Sequence, residues 1–516
     1  MDEKLPESVD VVVLGTGLPE AILASACARA GLSVLHLDRN EYYGSDWSSF
    51  TMTMIHEVEE NKVPKLSEEE VSKLSAHLSE SEKLVELGNR EIIENIQRTW
   101  IPRESDDVPM KEKLEKMGQM RRFSIDLVPK ILVSKGNMVQ TLCDSQVSHY
   151  AEFKLVNRQL CPTQDKNSEN PKILLNPVPC SKGEIFQSNV LSILEKRALM
   201  KFITFCTQWS TKPTEEGREL LGEYSDRPFS EFLAQMGVTE TLQSFIINTI
   251  GILQPNPTAM SGMLASCEFM DSVGHFGPSP FLFPLYGCGE LSQCFCRLAA
   301  VFGSLYCLGR PVQAMVKEND RITAIIANNE RINCRHVVMS PRFVPEDVPI
   351  QNVQKIERVV FATDKSIKEV EKEHLTLLNL ASLRPNSTIS RLIEIGFEAC
   401  TAPKGHFLVH ATGTQGDEKS VESLAEQIFE ESQVSPYWKM SFTANSMKFD
   451  PEGAELGSNV VVAPPVDANI HYSSVIEECR KLFCSTWPDL DFLPRAIKNE
   501  EDDSEEKEAS ESSETA

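Results

Sequence analysis

An apolar run that ends on two glycines constrains this chain more than any other feature. Val9–Leu14 is continuously apolar and bounded by turn residues, the pattern of a parallel strand buried on both faces. Gly15-Thr16-Gly17 follows. An alanine-rich stretch, Glu20–Ala30, then places Ile22, Leu23, Ala26 and Cys27 where they can face a sheet. Gly31 suits a helix C-terminus, and Ser33–Leu37 reads as a second strand closed by Asp38. The spacing predicts a β-α-β unit of about thirty residues, the head of an α/β domain.

A dinucleotide site of this shape uses Gly-x-Gly-x-x-Gly. The glycines allow a tight turn, close approach of a pyrophosphate, and close helix–strand packing. Here Gly15 and Gly17 hold the first two positions, Glu20 the third, and Asp38 the place of the ribose-binding acid. Glu20 is bulky where the helix must approach the sheet. Turned toward phosphates, it would add charge repulsion and a desolvation cost. The residues alone leave two readings open: FAD or NAD binding, or an inherited turn that holds the fold without a nucleotide.

The rest of the chain offers little for catalysis. There is no phosphate loop of the Walker type, no His-Glu-x-x-His, no Gly-x-Ser-x-Gly and no Cys-x-x-Cys, and the ten histidines do not cluster. No catalytic residue and no metal site is expected. The formal charge of −25 argues against nucleic acid and anionic surfaces as partners. Part of it is local, since nine acids and two lysines fall between Lys498 and Ala516. That tail, 496–516, reads as solvated and disordered. The absence of a secretory start and of any spanning run, with fourteen cysteines in no disulfide pattern, points to the cytosol.

Four regions are expected. A discontinuous sheet domain takes 1–54 and 273–495. An insertion rich in Glu, Lys and Ser takes 55–121, helical around Leu74–Ile96. A helical domain takes 122–272, with helices over Arg122–Leu160, Gln187–Trp209 and Phe229–Leu253. The acidic tail is the fourth. Within Gln187–Trp209, Leu191, Leu194, Ala198, Phe202 and Phe205 mark one face. A further helix is expected over Glu290–Phe302, with strands over 311–339 and a helix at Ser473–Phe483. In the first of these, Glu290 and Arg297 are seven residues apart, so they lie about 20° apart around the axis and two turns along it. Leu291, Phe295, Leu298 and Phe302 take another face. The pattern therefore projects Glu290 and Arg297 outward together.

Three blocks carry a resemblance. Val13-Leu14-Gly15-Thr16-Gly17-Leu18-Pro19-Glu20, continued by Leu35-His36-Leu37-Asp38-Arg39-Asn40-Glu41-Tyr42-Tyr43-Gly44, is one. Phe283-Pro284-Leu285-Tyr286-Gly287-Cys288-Gly289-Glu290, running on to Arg297, is another. The third joins Asp126-Leu127-Val128-Pro129-Lys130 to Tyr150-Ala151-Glu152-Phe153-Lys154. Together they resemble the Rab GDP-dissociation inhibitor and Rab escort family over most of residues 8–345. In that family Glu at the third glycine position is usual. Trp47, the long 55–121 insertion and the acidic ending favour the escort branch.

The resemblance implies a flavoprotein-like fold, α/β plus α, with a multi-sheet domain, a smaller helical domain and no flavin. It implies binding of GDP-bound Rab GTPases, both unprenylated and prenylated, and their presentation to the alpha/beta heterodimer of Rab geranylgeranyltransferase. Burial of the geranylgeranyl chain and transient contact with membrane would follow. Matching the family's motifs, Tyr43, Glu290 and Arg297 would form the Rab-binding platform, with Leu305 and Cys307 beside it. Phe205 would dock on the transferase. His275 and Phe281 would belong to a loop for membrane delivery. A recycling inhibitor of Rabs and a flavin-dependent oxidase are the competing readings.

Overall fold

The computed structural model describes residues 5–56, 67–75, 78–104, 106–164, 172–179, 182–188, 191–250, 256–369, 374–380, 383, 389–416, 419–451 and 456–495. The acidic tail and part of the insertion lie outside the described residues.

The β-α-β unit forms where the apolar runs place it. Strand β1 (Ser8–Leu14) leads through Gly15 into helix α1 (Leu18–Arg29) and on to β2 (Val34–Leu37). β1 and β2 pair in parallel, Val11 opposite Val34 through Leu14 opposite Leu37. Apolar side chains on both faces let α1 and a second layer bury Val11–Leu14 of β1 and all of β2, as the continuous run requires.

Two eight-stranded sheets organise the molecule. The first contains β1 and β2 at its centre. Beside β2 lies a later strand, β3 (Leu305–Cys307), and beside β1 lies β4 (Glu330–Met339), both parallel to their neighbours. Antiparallel strands Arg321–Ala327, Val312–Glu318 and Glu82–Glu86 extend it. The second sheet is mostly antiparallel. Its centre runs from Ser390–Gly396 through Phe407–Thr414 and Gln351–Thr363 to Trp438–Lys448. Helix α2 (Ile193–Thr211) and helix α3 (Ala259–Ser272) lead a separate helical layer. Helix α4 (Gly289–Val301) packs along α1 on the first sheet.

Three sequence expectations differ from the structure. The helix over Leu74–Ile96 is confined to Glu68–Ser75. Beyond it, Glu82–Glu86 pairs with Val312–Glu318, and Ile93–Trp100 is the edge strand beside Trp438–Lys448. Charged and polar residues are frequent in both strands and no residue of either is buried, which fits a sheet edge. The stretch Arg122–Leu160 has one short α-helix, Asn137–Asp144, and a 3-10 turn, Val147–Tyr150, and otherwise supplies short strands, among them Phe153–Leu155 and the start of Arg158–Gln164. The helical stretch over Gln187–Trp209 is divided. α2 begins only after Ser192, whose hydroxyl and Glu195 form a capping box. Its buried face is Leu199, Phe202, Ile203 and Cys206, and Leu194 is 74% exposed.

Candidate functional site

The glycine motif is locked into the fold. The Asp38 carboxylate is buried and accepts from Thr16 N (2.8 Å), Thr16 Oγ1 (2.6 Å), Ser45 Oγ (2.7 Å) and Asn40 N (2.9 Å). Thr16 Oγ1 in turn accepts from Gly44 N at 3.0 Å. The acid that would hold a ribose is therefore spent on the loop 38–48, and that loop carries Tyr43. Glu20 stands in the first turn of α1, and its carboxyl turns back on its own backbone N–H. A Cβ placed on Gly17 would lie 2.3 Å from Glu20 Oε2 and 3.1 Å from Trp47. The space left between Gly17, Glu20, Trp47 and Ser340 has a volume of about 10 Å³, enough for one water. A pyrophosphate does not fit there. Burial, and then the charges of Asp46 and Asp38, push the Glu20 carboxyl up to about 8. At neutral pH it obstructs by bulk more than by charge, a correction to the repulsion expected from sequence.

A wider cleft of about 330 Å³ lies outside Asp38, between Arg39, Arg342 and the segment Asn89–Ile96. Its guanidinium groups are engaged within the chain: Arg39 Nη1 donates to Asn89 Oδ1 at 2.6 Å, and Arg342 pairs with Asp46.

The platform residues meet in a cleft of about 290 Å³ on the opposite side of the Tyr43 loop. Its walls include Tyr43, Tyr150, Glu290, Gln293, Arg297 and Tyr306. α4 supplies three of these at a spacing of three and four, so one outward face of the helix floors the cleft. The inward face, Leu291, Phe295 and Leu298, is buried as the pattern predicts. Phe302 does not join them; it lies at the C-cap, 46% exposed, with the Arg29 guanidinium 5.5 Å from its ring. Arg297 is exposed, makes no ion pair among the described residues, and stacks 4.4 Å from the Tyr150 ring centroid. Burial, and then the nearby Asp126, raise the Glu290 carboxyl above its ordinary range.

The start of α4 is tightly held. Gly287 sits at φ +106, where a side chain would meet Asp126 and Ser49 within 3 Å. Asp126 Oδ1 accepts from Cys288 N at 2.8 Å. Tyr286, just before, also takes a left-handed backbone (φ +68) yet is 57% exposed, a strained conformation for a bulky residue.

Leu305 and Cys307 lie on β3 next to the cleft but do not line it. Tyr306 between them does, packing on Tyr43 at 5.9 Å and on His36 at 4.8 Å. Strand alternation around Leu305 and Cys307 was the available signal, since the residue between two same-face positions points the other way. Tyr150 was visible only as part of a motif, because nothing local places it under Arg297.

The remaining candidates are elsewhere. Phe205 is half-buried on α2, stacked on Trp209 (6.2 Å) and packed on Phe232 (5.9 Å). His275 is exposed in the turn after α3, beside Phe276 at 4.4 Å. Phe281 is not part of that turn. It begins strand Phe281–Pro284, is 3% exposed, and packs on Phe269 at 5.6 Å. The exposed aromatic of the turn is Phe276, at 52%.

Comparison with known proteins places the chain in a family. The family model described as GDP dissociation inhibitor matches residues 1–76 and 104–495. The chain belongs to the GDP dissociation inhibitor family. Within the family it is 79% identical over 502 residues to the Caenorhabditis elegans protein named Rab proteins geranylgeranyltransferase component A 1, covering 97% of each chain. A Rab GDI from Plasmodium falciparum shares the family fold, with a TM-score of 0.70 at 20% identity, over 96% of this chain and all of that one. A more distant likeness, to an oxidoreductase from Methanosarcina mazei, has a TM-score of 0.51 at 12% identity, over 92% of this chain and 99% of the other. The multi-sheet architecture with a helical layer that the family resemblance implied is present. Among the described residues no helix is long and apolar enough to cross a membrane, and no cluster of His, Cys, Asp and Glu could hold a metal ion.

Proposed function

We propose that this protein is a Rab escort protein, a non-catalytic subunit that binds newly made GDP-bound Rab GTPases and presents them to the Rab geranylgeranyltransferase heterodimer. The observation that carries this reading is the near-complete, 79% identity to a protein named as component A of that transferase. The platform cleft supplies the chemistry. A tyrosine, a carboxyl and a guanidinium with no ion-pair partner among the described residues surround one opening, which suits a specific protein interface. Leu305, 50% exposed at its edge, and Cys307 would extend the contact.

The helical layer would shelter the geranylgeranyl chain, where burying methylene groups offsets the cost of exposure to water. Phe205 would anchor the transferase. The exposed turn of His275 and Phe276 would meet the membrane at delivery, in a cycle based in the cytosol. A recycling inhibitor would share the Rab platform without the transferase contact. A flavin oxidase is disfavoured by the blocked crevice at Gly17.

The test is reconstituted prenylation of GDP-bound Rab by the purified heterodimer. Transfer of geranylgeranyl groups should require this protein. Phe205→Ala should lower transferase capture while Rab affinity stays within about twofold, and added transferase should partly restore the rate. If wild-type protein never binds the heterodimer, the recycling inhibitor becomes the better account. If Rab binding and melting temperature fall together in Phe205→Ala, the ring is a core residue.

A further inference from the structure

The second sheet buries two arginines on one face in a single cross-strand row. Arg358 on Gln351–Thr363 stands opposite Thr412, and Thr412 stands opposite Arg391 on Ser390–Gly396. Residues directly opposite in adjacent strands share a face, so the two guanidinium groups flank one threonine. Arg358 is 3% exposed and Arg391 6%. Both line a small cavity closed by Leu127, Pro129, Thr412 and Asp467.

These cations are under-compensated. Arg358 Nη1 donates to Thr412 Oγ1, and the guanidinium lies 5.9 Å from the Phe442 ring, but its Nε and Nη2 have no partner among the described residues. Arg391 Nη2 donates to Ala468 O, while its Nε has none among the described residues. The nearest carboxylates are engaged with other groups. Asp467 binds the buried Lys130 ammonium, Asn469 N (2.8 Å) and Ser474 Oγ (2.9 Å). Asp126 serves Ser49 and Cys288 N, and burial pushes it up to about 6. His410 and His471 are held neutral by burial. Three buried cations, Lys130, Arg358 and Arg391, thus face two carboxylates, Asp126 and Asp467. Arginine does not escape by losing its proton near pH 7. A buried charge without a partner is strongly destabilising. Water could satisfy the N–H groups but would not offset the charge.

The cavity volume is about 10 Å³, which suits one body of water size and excludes phosphate or a carboxylic acid. We infer that the space between Arg358 and Arg391 is a binding site for a single monatomic anion of the halide class, chloride under ordinary saline conditions. Its wall runs through Leu127 and Val128, directly after the Asp126 that holds the head of α4. An anion there would fasten the second sheet beneath the base of the platform helix.

The experiment is thermal melting of the full chain, freed of halide, in sodium chloride against sodium gluconate at matched ionic strength. Wild type should melt higher in chloride, by on the order of 1–3 °C for each tenfold rise above half-saturation. Arg358→Met should lose that chloride-specific rise. In crystals soaked in bromide, an anomalous peak should lie within hydrogen-bonding distance of Arg358 Nη2 and Arg391 Nε. Equal melting in the two salts, or bromide found only at other places, would overturn the site. Should Arg358→Met fail to fold, Arg391→Lys is read instead. A several-fold weaker chloride dependence supports the site, and an unchanged one rejects it.

Discussion

Two crevices flank the loop that carries Tyr43, and they treat their polar groups in opposite ways. On one side Asp38, Thr16 and Glu20 are buried, Ser45 is half-buried, and all four are satisfied by each other or by backbone. On the other, Glu290 and Arg297 line an open cleft of about 290 Å³, held in place by stacking and by the helix rather than by mutual pairing. The motif crevice has the architecture of a nucleotide site with its ligand-binding groups consumed. The platform cleft keeps its groups available. The difference teaches that the motif now works as a frame: hydrogen bonds from Asp38 through Thr16 to Gly44 set the position of Tyr43.

The sharpest way to break this comparison is to remove the frame. Asp38→Ala strips four hydrogen bonds from buried donors and should cost about 3–5 kcal/mol of stability, read by denaturant unfolding. Rab affinity should fall with it, because the Tyr43 loop is released. A variant that unfolds normally and binds Rab normally would show that Asp38 frames nothing.

Next in size is Arg297→Ala, which should weaken GDP-bound Rab by about 1–3 kcal/mol, or roughly 5- to 150-fold. Its melting temperature should stay at the wild-type value, since the side chain is exposed.

Glu20 sharpens the contrast through pH. Its folded-state carboxyl sits near 8 against an ordinary value of 4.5. Between those values the folded chain keeps a proton that the unfolded chain has released, so stability falls as pH rises through that window. Glu20→Gln should flatten that part of the profile in unfolding experiments run from pH 5 to 8. An identical slope would mean that Glu20 is ionised in the folded chain at neutral pH.

The smallest effect belongs to Tyr150. Tyr150→Ala should weaken Rab binding by about 0.5–1 kcal/mol through loss of the stacked guanidinium, and Tyr150→Phe should retain it. Equal losses in both variants would point to the hydroxyl instead.

What could be read from the sequence follows from how local each feature is. β1, α1 and β2 declare themselves within one short segment, because a strand buried on both faces is continuously apolar and its helix is alanine-rich. α4 was readable for the same reason, with Glu290 and Arg297 on one face and Leu291, Phe295 and Leu298 on the other. The strands Glu82–Glu86 and Ile93–Trp100 were not. Their pairing partners lie far away in the chain, at Val312–Glu318 and Trp438–Lys448, and their polar and charged composition reads as helix in isolation. Phe281 was misplaced for a related reason. A four-residue strand between Val133 and Leu155 leaves almost no local pattern. Tyr150 entered the cleft only through tertiary packing, whereas strand alternation between Leu305 and Cys307 could have found Tyr306.

The central claim is that Rab recognition resides in the platform cleft and that the motif crevice only supports it. The most direct measurement titrates GDP-bound Rab into wild type, Arg297→Ala and Glu20→Gln by calorimetry under one set of conditions. The account predicts a loss of about 5- to 150-fold for Arg297→Ala and a change within about twofold for Glu20→Gln. Unchanged affinity in Arg297→Ala together with a large loss in Glu20→Gln would contradict it.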